Sequence, residues 1–181
     1  MRRRFNKYEV KGDVTVFYTT GGVPFVVDTE DKDKVESICW SFDSHGYLRG
    51  QPSMSNKKVW LHRFIMEVTD SNICVDHIDH DKTNCRKSNL RLCTQAQNNM
   101  NMPKMKTNKS NHIGISWDKT NKKWRAHISV NNKTKTLGRY KNFDDAVKAR
   151  RIAEEYYYGE FAPTYNKNIY KGGDVGDASL W

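Results

Sequence analysis

The sequence predicts an α+β fold class: a small N-terminal α+β body, followed by a three-stranded antiparallel sheet with one helix. Three observations point to it. Short runs of β-branched and aromatic residues alternate with glycine turns near the N-terminus. A polar, basic stretch interrupted by Pro103 divides the chain. Beyond it, three strand patterns precede a single long helix with an apolar stripe. Hydrophobic side chains make up 36% of the 181 residues and aromatics 12%. Apolar area therefore comes from few, large side chains, which a disordered polymer would lack.

Tyr8-Glu9-Val10, Val14-Thr15-Val16-Phe17-Tyr18 and Pro24-Phe25-Val26-Val27 read as strands, with Gly12-Asp13 and Gly21-Gly22 as turns. Asp28-Thr29-Glu30-Asp31 puts acidic side chains where a helix start favours them, predicting a short helix to about Ile38. Tyr47-Leu48-Arg49 and Lys58-Val59-Trp60-Leu61 are further strand candidates, and His62 to Met66 has a helical pattern.

From Asn98 to Asn111 the composition is that of a linker. Gly114 to Trp117, Trp124 to Val130 and Lys135 to Leu137 then predict three strands joined by turns rich in Asn and Lys. A helix is expected from about Phe143 to Tyr158. Asn142 suits its N-cap, Asp144 and Asp145 its first turn, and Gly159 its stop. Ala146, Val147, Ala149, Ile152, Ala153, Tyr156 and Tyr157 form its expected buried stripe. The expected divisions are a first domain over 1–102, a basic linker over 103–110, a second domain over 111–163 and a poorly ordered tail over 164–181.

The net charge of +10 is unevenly placed. Residues 1–102 hold 15 basic and 13 acidic side chains, residues 103–141 hold 11 and one, and residues 142–181 hold 5 and 7. A near-neutral body followed by a basic block interleaved with Trp117, Trp124 and Tyr140 points to a folded surface for a polyanion. No window approaches the roughly 18 apolar residues of a membrane span. Met1 to Phe5 is not followed by an apolar leader, so secretion and membrane partners are disfavoured. Cys39, Cys74, Cys85 and Cys93 lack paired chelating spacing and are expected to be reduced thiols with no structural zinc. A site built from Cys74, Cys85, Cys93 and a histidine is the weaker reading.

Asp76-His77 follows the apolar run Ile73-Cys74-Val75, with Asp79 and Asp81 close behind. A polar loop holding Asn84 leads through Ser88-Asn89-Leu90-Arg91 to a second β-like run, Leu92-Cys93-Thr94, and then to a helical Gln95-Ala96-Gln97-Asn98-Asn99. Strand, loop, strand and short helix would bring His77, Asn89 and Asn98 together. Singly, Asp76 reads equally well as a turn cap, His77 as an interior histidine and the asparagines as loop and cap residues. The ordered set is what points to chemistry.

In that order, Val75-Asp76-His77-Ile78-Asp79, Ser88-Asn89-Leu90-Arg91 and Thr94-Gln95-Ala96-Gln97-Asn98 resemble the three signature pieces of the HNH endonucleases with the ββα-metal fold, especially the phage and intron-encoded homing enzymes. The likeness covers roughly residues 60–100, and His62-Arg63 is similar to a His-Arg pair common upstream in that family. The resemblance implies that Asp76 and Asn98 hold one divalent cation, that His77 activates water and that Asn89 orients the histidine and its loop. It gives Arg63 to the scissile phosphate, with a surface ion pair as a comparable reading. A carboxylate and an amide oxygen suit Mg²⁺ or Mn²⁺. Many members carry histidine where Asn98 stands, and this departure argues against Zn²⁺ or Ni²⁺. His62 and His80 read as structural or phosphate-proximal residues, and His45 as a turn residue. Localisation is expected to be cytoplasmic, in the host cell if a phage encodes the chain.

Gly114-Ile115-Ser116-Trp117, Lys123-Trp124-Arg125-Ala126-His127-Ile128, Leu137-Gly138-Arg139-Tyr140, Phe143-Asp144-Asp145-Ala146 and Gly159-Glu160-Phe161-Ala162 resemble an AP2 domain, over about residues 108–163. In that family the sheet lies in the DNA major groove and the helix packs behind it. Strand alternation independently puts Trp124, Ala126, Ile128 and Leu137 against the helix, with Trp117 also read as core. The resemblance implies that Ser116, Asp118, Arg125, His127, Ser129, Thr134 and Thr136 lie toward double-stranded DNA. Lys119, Lys122, Lys123, Lys133 and Arg139 are then available for phosphates, and Lys135 completes the set. Ser, Asp and Thr replace arginines of the family at several of these positions, so base preferences do not transfer.

The expected function is a metal-dependent, site-specific DNA endonuclease of the homing type. One active site per chain leaves nicking and double-strand cutting both open, as it does monomer and homodimer. The competing expectations are a non-catalytic DNA-binding regulator and an RNA-directed nuclease.

Overall fold

The computed structural model describes residues 5–53, 55–101, 110 and 112–163. The expected linker, apart from Ser110, and the expected tail lie outside the described residues. The chain forms two compact units, divided between Gln95 and Ala96.

In the first unit β1 (Lys7–Lys11), β2 (Val14–Tyr18) and β3 (Pro24–Asp28) form an antiparallel sheet in that order. Gly12, with φ +64°, supplies the left-handed residue that the tight β1–β2 turn requires. Instead of one helix from Asp28, the chain makes a 3₁₀ turn over Thr29–Asp31 and a five-residue α1 (Lys32–Glu36). Two side-chain bonds stop that helix early: Ser37 Oγ donates to Lys34 O at 2.8 Å, and Trp40 Nε1 donates to Val35 O at 2.9 Å. Trp40 is fully buried and opens β4 (Trp40–Phe42), which pairs with β5 (Leu48–Gly50), itself paired with β6 (Val59–Trp60). Asn6 ties the two sheets, its amide donating to Tyr18 O and Trp40 O at 3.0 Å each and accepting from Trp40 N.

Helix α2 (Leu61–Ile65) follows directly, and β7 (Cys74–His77) pairs antiparallel with β8 (Leu90–Cys93). The loop between them ends in a 3₁₀ turn at Lys87–Asn89. It is stitched to β3, with Val26 N donating to Thr83 O at 2.8 Å and Cys85 N to Val26 O at 2.9 Å. Arg86 reaches Asp28 and Asp13, and Lys87 reaches Glu30. One core runs through Phe17, Phe25, Val27, Trp40, Leu48, Leu61, Val75 and Leu90, so β7 and β8 are docked on the same interior as both sheets. Helix α3 (Gln95–Met100) begins one residue after β8.

The second unit is a sheet of β9 (Ile115–Asp118), β10 (Lys123–Val130) and β11 (Lys133–Tyr140), ordered β11-β10-β9, with α4 (Phe143–Tyr158). Asn131 and Asn132, with φ +50° and +61°, make the two-residue turn that matches the twist of β10 and β11. Ala126, Ile128 and Leu137 pack with Ala146, Val147 and Ala153. The buried face of α4 differs from expectation. Ile152 and Tyr156 are exposed, whereas Arg150 and Glu154 are buried as a pair, Nε to Oε1 at 2.8 Å. The pair is tolerated because the Arg150 guanidinium also donates to His127 O across the sheet. Burial pushes the Glu154 carboxyl up, and the Arg150 charge opposes that push.

Candidate active site

Alternation along β7 and β8 separates two faces. Val75 and Leu90 enter the core, His77 shares their side, and Cys74, Asp76, Arg91 and Cys93 occupy the other. Asp76 stands opposite Arg91, and its Oδ2 accepts from Arg91 Nη2 at 2.7 Å and Nε at 3.0 Å. Both side chains are about nine-tenths buried.

His77 ends β7 with 5% of its surface exposed. Its ring lies edge-on to His62, 5.2 Å between centroids, and 6.2 Å from Tyr47, while Nε2 is 3.7 Å from the buried Cys85 Sγ. Burial holds the His77 imidazole below its ordinary value, against the opposing charges of Asp79, Asp76 and Asp81. The ring is therefore neutral at pH 7, the state in which a histidine can accept a proton. His62 is pushed down further, to about 3, by burial and then by His77 and Arg63. It is a neutral packing partner of His77, in line with the structural reading.

Asn89 binds the β7–β8 loop rather than the imidazole. Its Nδ2 donates to Asp79 Oδ1 and to Asn84 O, both at 2.8 Å, and its Oδ1 accepts from Asp79 N at 3.1 Å. Its backbone carbonyl accepts from Ile78 N at 2.9 Å. Asp79 and Asp81 cap successive turns of the loop, accepting from Asp81 N and Thr83 N. His80 lies in the first of these turns, at φ +67°, and His45 sits in the β4–β5 turn, its N–H on Asp43.

Arg63 binds backbone carbonyls instead of forming the surface ion pair offered as one reading of it. Its Nη1 donates to Ile73 O and its Nη2 to Asp70 O, each at 2.6 Å. The guanidinium thus clamps the turn that feeds β7. Asn98 lies on α3, half-buried, with its carbonyl accepting from Asn101 N at 3.2 Å.

The donor chemistry suits a hard cation. Asp76 offers carboxylate oxygen, while burial pushes the thiols of Cys85 to about 12 and Cys93 to about 11, so both are protonated at neutral pH. Among the described residues, no group of three or more His, Cys, Asp and Glu is arranged to hold a metal ion.

On the sheet of the second unit, the face away from α4 carries a band of the expected residues. Ser116, Arg125 and Arg139 stand in one cross-strand row, His127 pairs with Thr136, and Ser129 pairs with Thr134. A bulge between Ala126 and His127 inserts Leu137 into β11 and so lets Thr136 and Arg139 share this face. Lys133 and Lys135 fall outside this band. They stand opposite Val130 and Ile128, on the helix side, and Lys135 Nζ lies over the Tyr157 ring at 4.6 Å and donates to its hydroxyl. Alternation from the buried Leu137 carries that signal.

Asp118 is engaged within its own unit. It accepts from Thr120 N and Asn121 N and pairs with Arg139 Nε at 2.8 Å, which together with the Asn121 side chain holds its carboxyl well below the usual range. Lys119 and Lys122 lie in the β9–β10 turn, Lys122 at φ +48°, and Lys123 opposite Asp118 at the strand end. Sequence reasoning gave Arg91 no role of its own and did not place Cys85 beside His77. An arginine directly after the Ser-Asn-Leu piece was the available signal for the first, and nothing local marked the second.

The HNH endonuclease family model matches residues 59–100, the span that carries Asp76, His77, Asn89 and Asn98. An uncharacterized HNH endonuclease of Acanthamoeba polyphaga mimivirus is 34% identical over 133 residues, 71% of this chain and 67% of the viral protein. Protein 3.8 of Escherichia phage T7 is 37% identical over 59 residues, 33% of this chain and 49% of its own length. No solved structure matches. No helix among the described residues is long and apolar enough to cross a membrane. With that extent of shared sequence around the His77 strand, the chain belongs to the HNH endonuclease family and is a nuclease.

Proposed function

We propose that the chain is a metal-dependent, site-specific endonuclease of the homing type that cuts duplex DNA in its HNH unit and selects its target with an AP2-like sheet. The observation that carries this reading is the pair of consecutive residues Asp76 and His77 at the end of β7, one a buried carboxylate and the other a neutral imidazole, in the segment matched by the family. The two relatives come from a mimivirus and a phage, which supports a virus-borne enzyme.

In this reading Asp76 and Asn98 supply oxygens to one Mg²⁺ or Mn²⁺, the Asn98 assignment resting on the order of the family's pieces. When bound, the cation offsets charge on the scissile phosphate and on the departing 3′ oxygen. His77, held neutral by burial, takes the proton of the attacking water. Asn89 keeps the loop beside His77 in one conformation through its bonds to Asp79 and Asn84. Arg91 holds the Asp76 carboxylate in place, and Arg63 fixes the chain entering β7.

The free face of the second unit suits DNA. The Arg125 guanidinium and the rows of Ser, Thr and His provide donors and acceptors for base edges. Lys119, Lys122 and Lys123 cluster at one end for phosphates. The test is cleavage of a mixed pool of duplex DNA with Mg²⁺ or Mn²⁺, beside EDTA and duplex RNA controls. Cutting of DNA that EDTA abolishes is expected, and no cutting under any metal would overturn the reading. Removing residues 103–181 is expected to leave weak cutting without target preference. Full preference in the shortened chain would overturn the division of labour.

A further inference from the structure

We propose that Lys82 is a DNA-contacting residue whose ammonium, held beside His77, binds one backbone phosphate of the strand being cut, a role that rests on the reading of the His77 end of β7 as the cutting site. Lys82 stands in the β7–β8 loop, half-buried, and its side chain crosses from that loop to the turn between β4 and β5. There Nζ donates to His45 O at 2.7 Å and lies 4.0 Å from the centroid of the Tyr47 ring. The same ring packs 5.3 Å from His62 and 6.2 Å from His77. One aromatic side chain therefore separates the ammonium from the proposed base.

The β4–β5 turn is shaped to receive this side chain. Asp43 accepts from His45 N and Tyr47 N, both at 2.9 Å, which fixes the turn. Gly46, at φ +78°, takes the left-handed conformation that glycine favours, and a Cβ added there would touch Lys82 Cδ at 4.0 Å. The lysine stem thus lies along bare backbone.

The carboxylates around the loop face other donors. Asp79 accepts from the Asn84 and Asn89 side chains, Asp81 from Thr83 N and Oγ1, and Asp43 from Trp60 Nε1 besides its two turn amides. Lys82 is fixed instead by a neutral carbonyl and an aromatic face, and neither cancels its charge. An ammonium has three donors, of which His45 O takes one. A carbonyl bond and a cation–π contact at an exposed site do little more than offset the freedom a held lysine loses, so as a fastening the arrangement adds little stability. What it does provide is a fixed point charge next to the base. Lysine binds phosphate in this way, and a donor already in place as negative charge grows on phosphoryl oxygens needs no reorganisation.

The test is binding of fluorescein-labelled duplex DNA of mixed sequence to the full chain, followed by anisotropy over a salt series in EDTA, so that no strand is cut. Lys82→Met keeps the stem and removes the charge. Its slope of log affinity against log salt is expected to be shallower than the wild-type slope by about 0.9, the value of one phosphate contact, and Lys82→Arg is expected to keep the wild-type slope. In single-turnover cleavage with Mg²⁺ or Mn²⁺, Lys82→Met is expected to be about ten- to a hundredfold slower, the scale of one charge-assisted hydrogen bond, with Lys82→Arg recovering most of the rate. An unchanged slope in Lys82→Met would overturn the proposal; a lowered melting temperature beside that unchanged slope would leave Lys82 only the fastening of loop to turn. Should Lys82→Met not fold, Lys82→Gln carries the same comparison. No cutting by the wild type under any metal would overturn the reading of the site, whereas the salt slope, measured without metal, would still decide the Lys82 contact.

Discussion

Across the β7–β8 ladder, Arg91 directs both Nη2 and Nε onto one oxygen of Asp76, Oδ2, at 2.7 and 3.0 Å. A carboxylate buried this deeply needs a positive partner, and a side-on guanidinium supplies one with fixed geometry. Arg91→Gln removes the charge and is expected to lower the stability of the first unit by about 3 kcal/mol in metal-free buffer. If Asp76 is also a cation ligand, Mg²⁺ replaces part of the lost charge. Thermal unfolding should then show a larger Mg²⁺-induced rise for Arg91→Gln than for the wild type. Equal rises in the two proteins would separate Asp76 from the metal.

Asn89 makes three side-chain bonds that close the loop from Ile78 to Asn84. Asn89→Ala is expected to cost about 2 kcal/mol, because the three hydrogen bonds of the buried Asn89 side chain are lost. Asn89→Asp keeps the acceptor for Asp79 N but sets a carboxylate against Asp79, so it should be no better. Denaturant melts measure the cost, and proteolysis within residues 78–84 is expected to accelerate in both variants.

His62 gives the first unit a defined acid sensitivity. Burial, followed by the neighbouring His77 and Arg63, pushes it from 6.5 down to about 3. The unfolded chain therefore binds a proton that the folded chain refuses. The stabilising contribution is complete above pH 6.5 and is lost as pH falls toward 3, with a slope of at most about 1.4 kcal/mol per pH unit from this one group. His77, also shifted down, adds to the loss. His62→Phe should flatten the decline in denaturant melts between pH 6.5 and 4.5; an unaltered slope would show that His62 is not the group responsible.

The two sides of the β9–β11 sheet make opposite forecasts for neighbouring cations. Arg125, on the free face, is expected to contact DNA, and Arg125→Ala should weaken binding and, if the contact is to phosphate, reduce the salt slope by about 1. Lys135, bound to Tyr157 of α4, is expected to contribute little, so Lys135→Ala should leave the slope within error. Fluorescence anisotropy on duplex DNA over a salt series distinguishes them. A larger loss in Lys135→Ala would reverse the assignment of faces.

Much of this was legible in the residues. The strands Val14–Tyr18 and Pro24–Asp28, the helix Phe143–Tyr158 and the strand at Asp76-His77 follow from periodicity, turns and caps that are local in sequence. What escaped was set by contacts far apart in the chain. Trp40 stops α1 through a bond to Val35 O, and Arg150 and Glu154 are buried because His127 O lies across the sheet to receive the guanidinium. Arg63 could not be assigned to Ile73 O and Asp70 O without knowing how the turn before β7 folds back. Cys85 meets His77 only because β3 holds the intervening loop.

The most direct test is single-turnover cleavage of duplex DNA by the full chain in Mg²⁺ or Mn²⁺, comparing wild type with His77→Ala after both are shown to be folded. If the neutral imidazole at the end of β7 is the base, His77→Ala should cut at least about 100-fold more slowly. Cleavage by His77→Ala at the wild-type rate would contradict it.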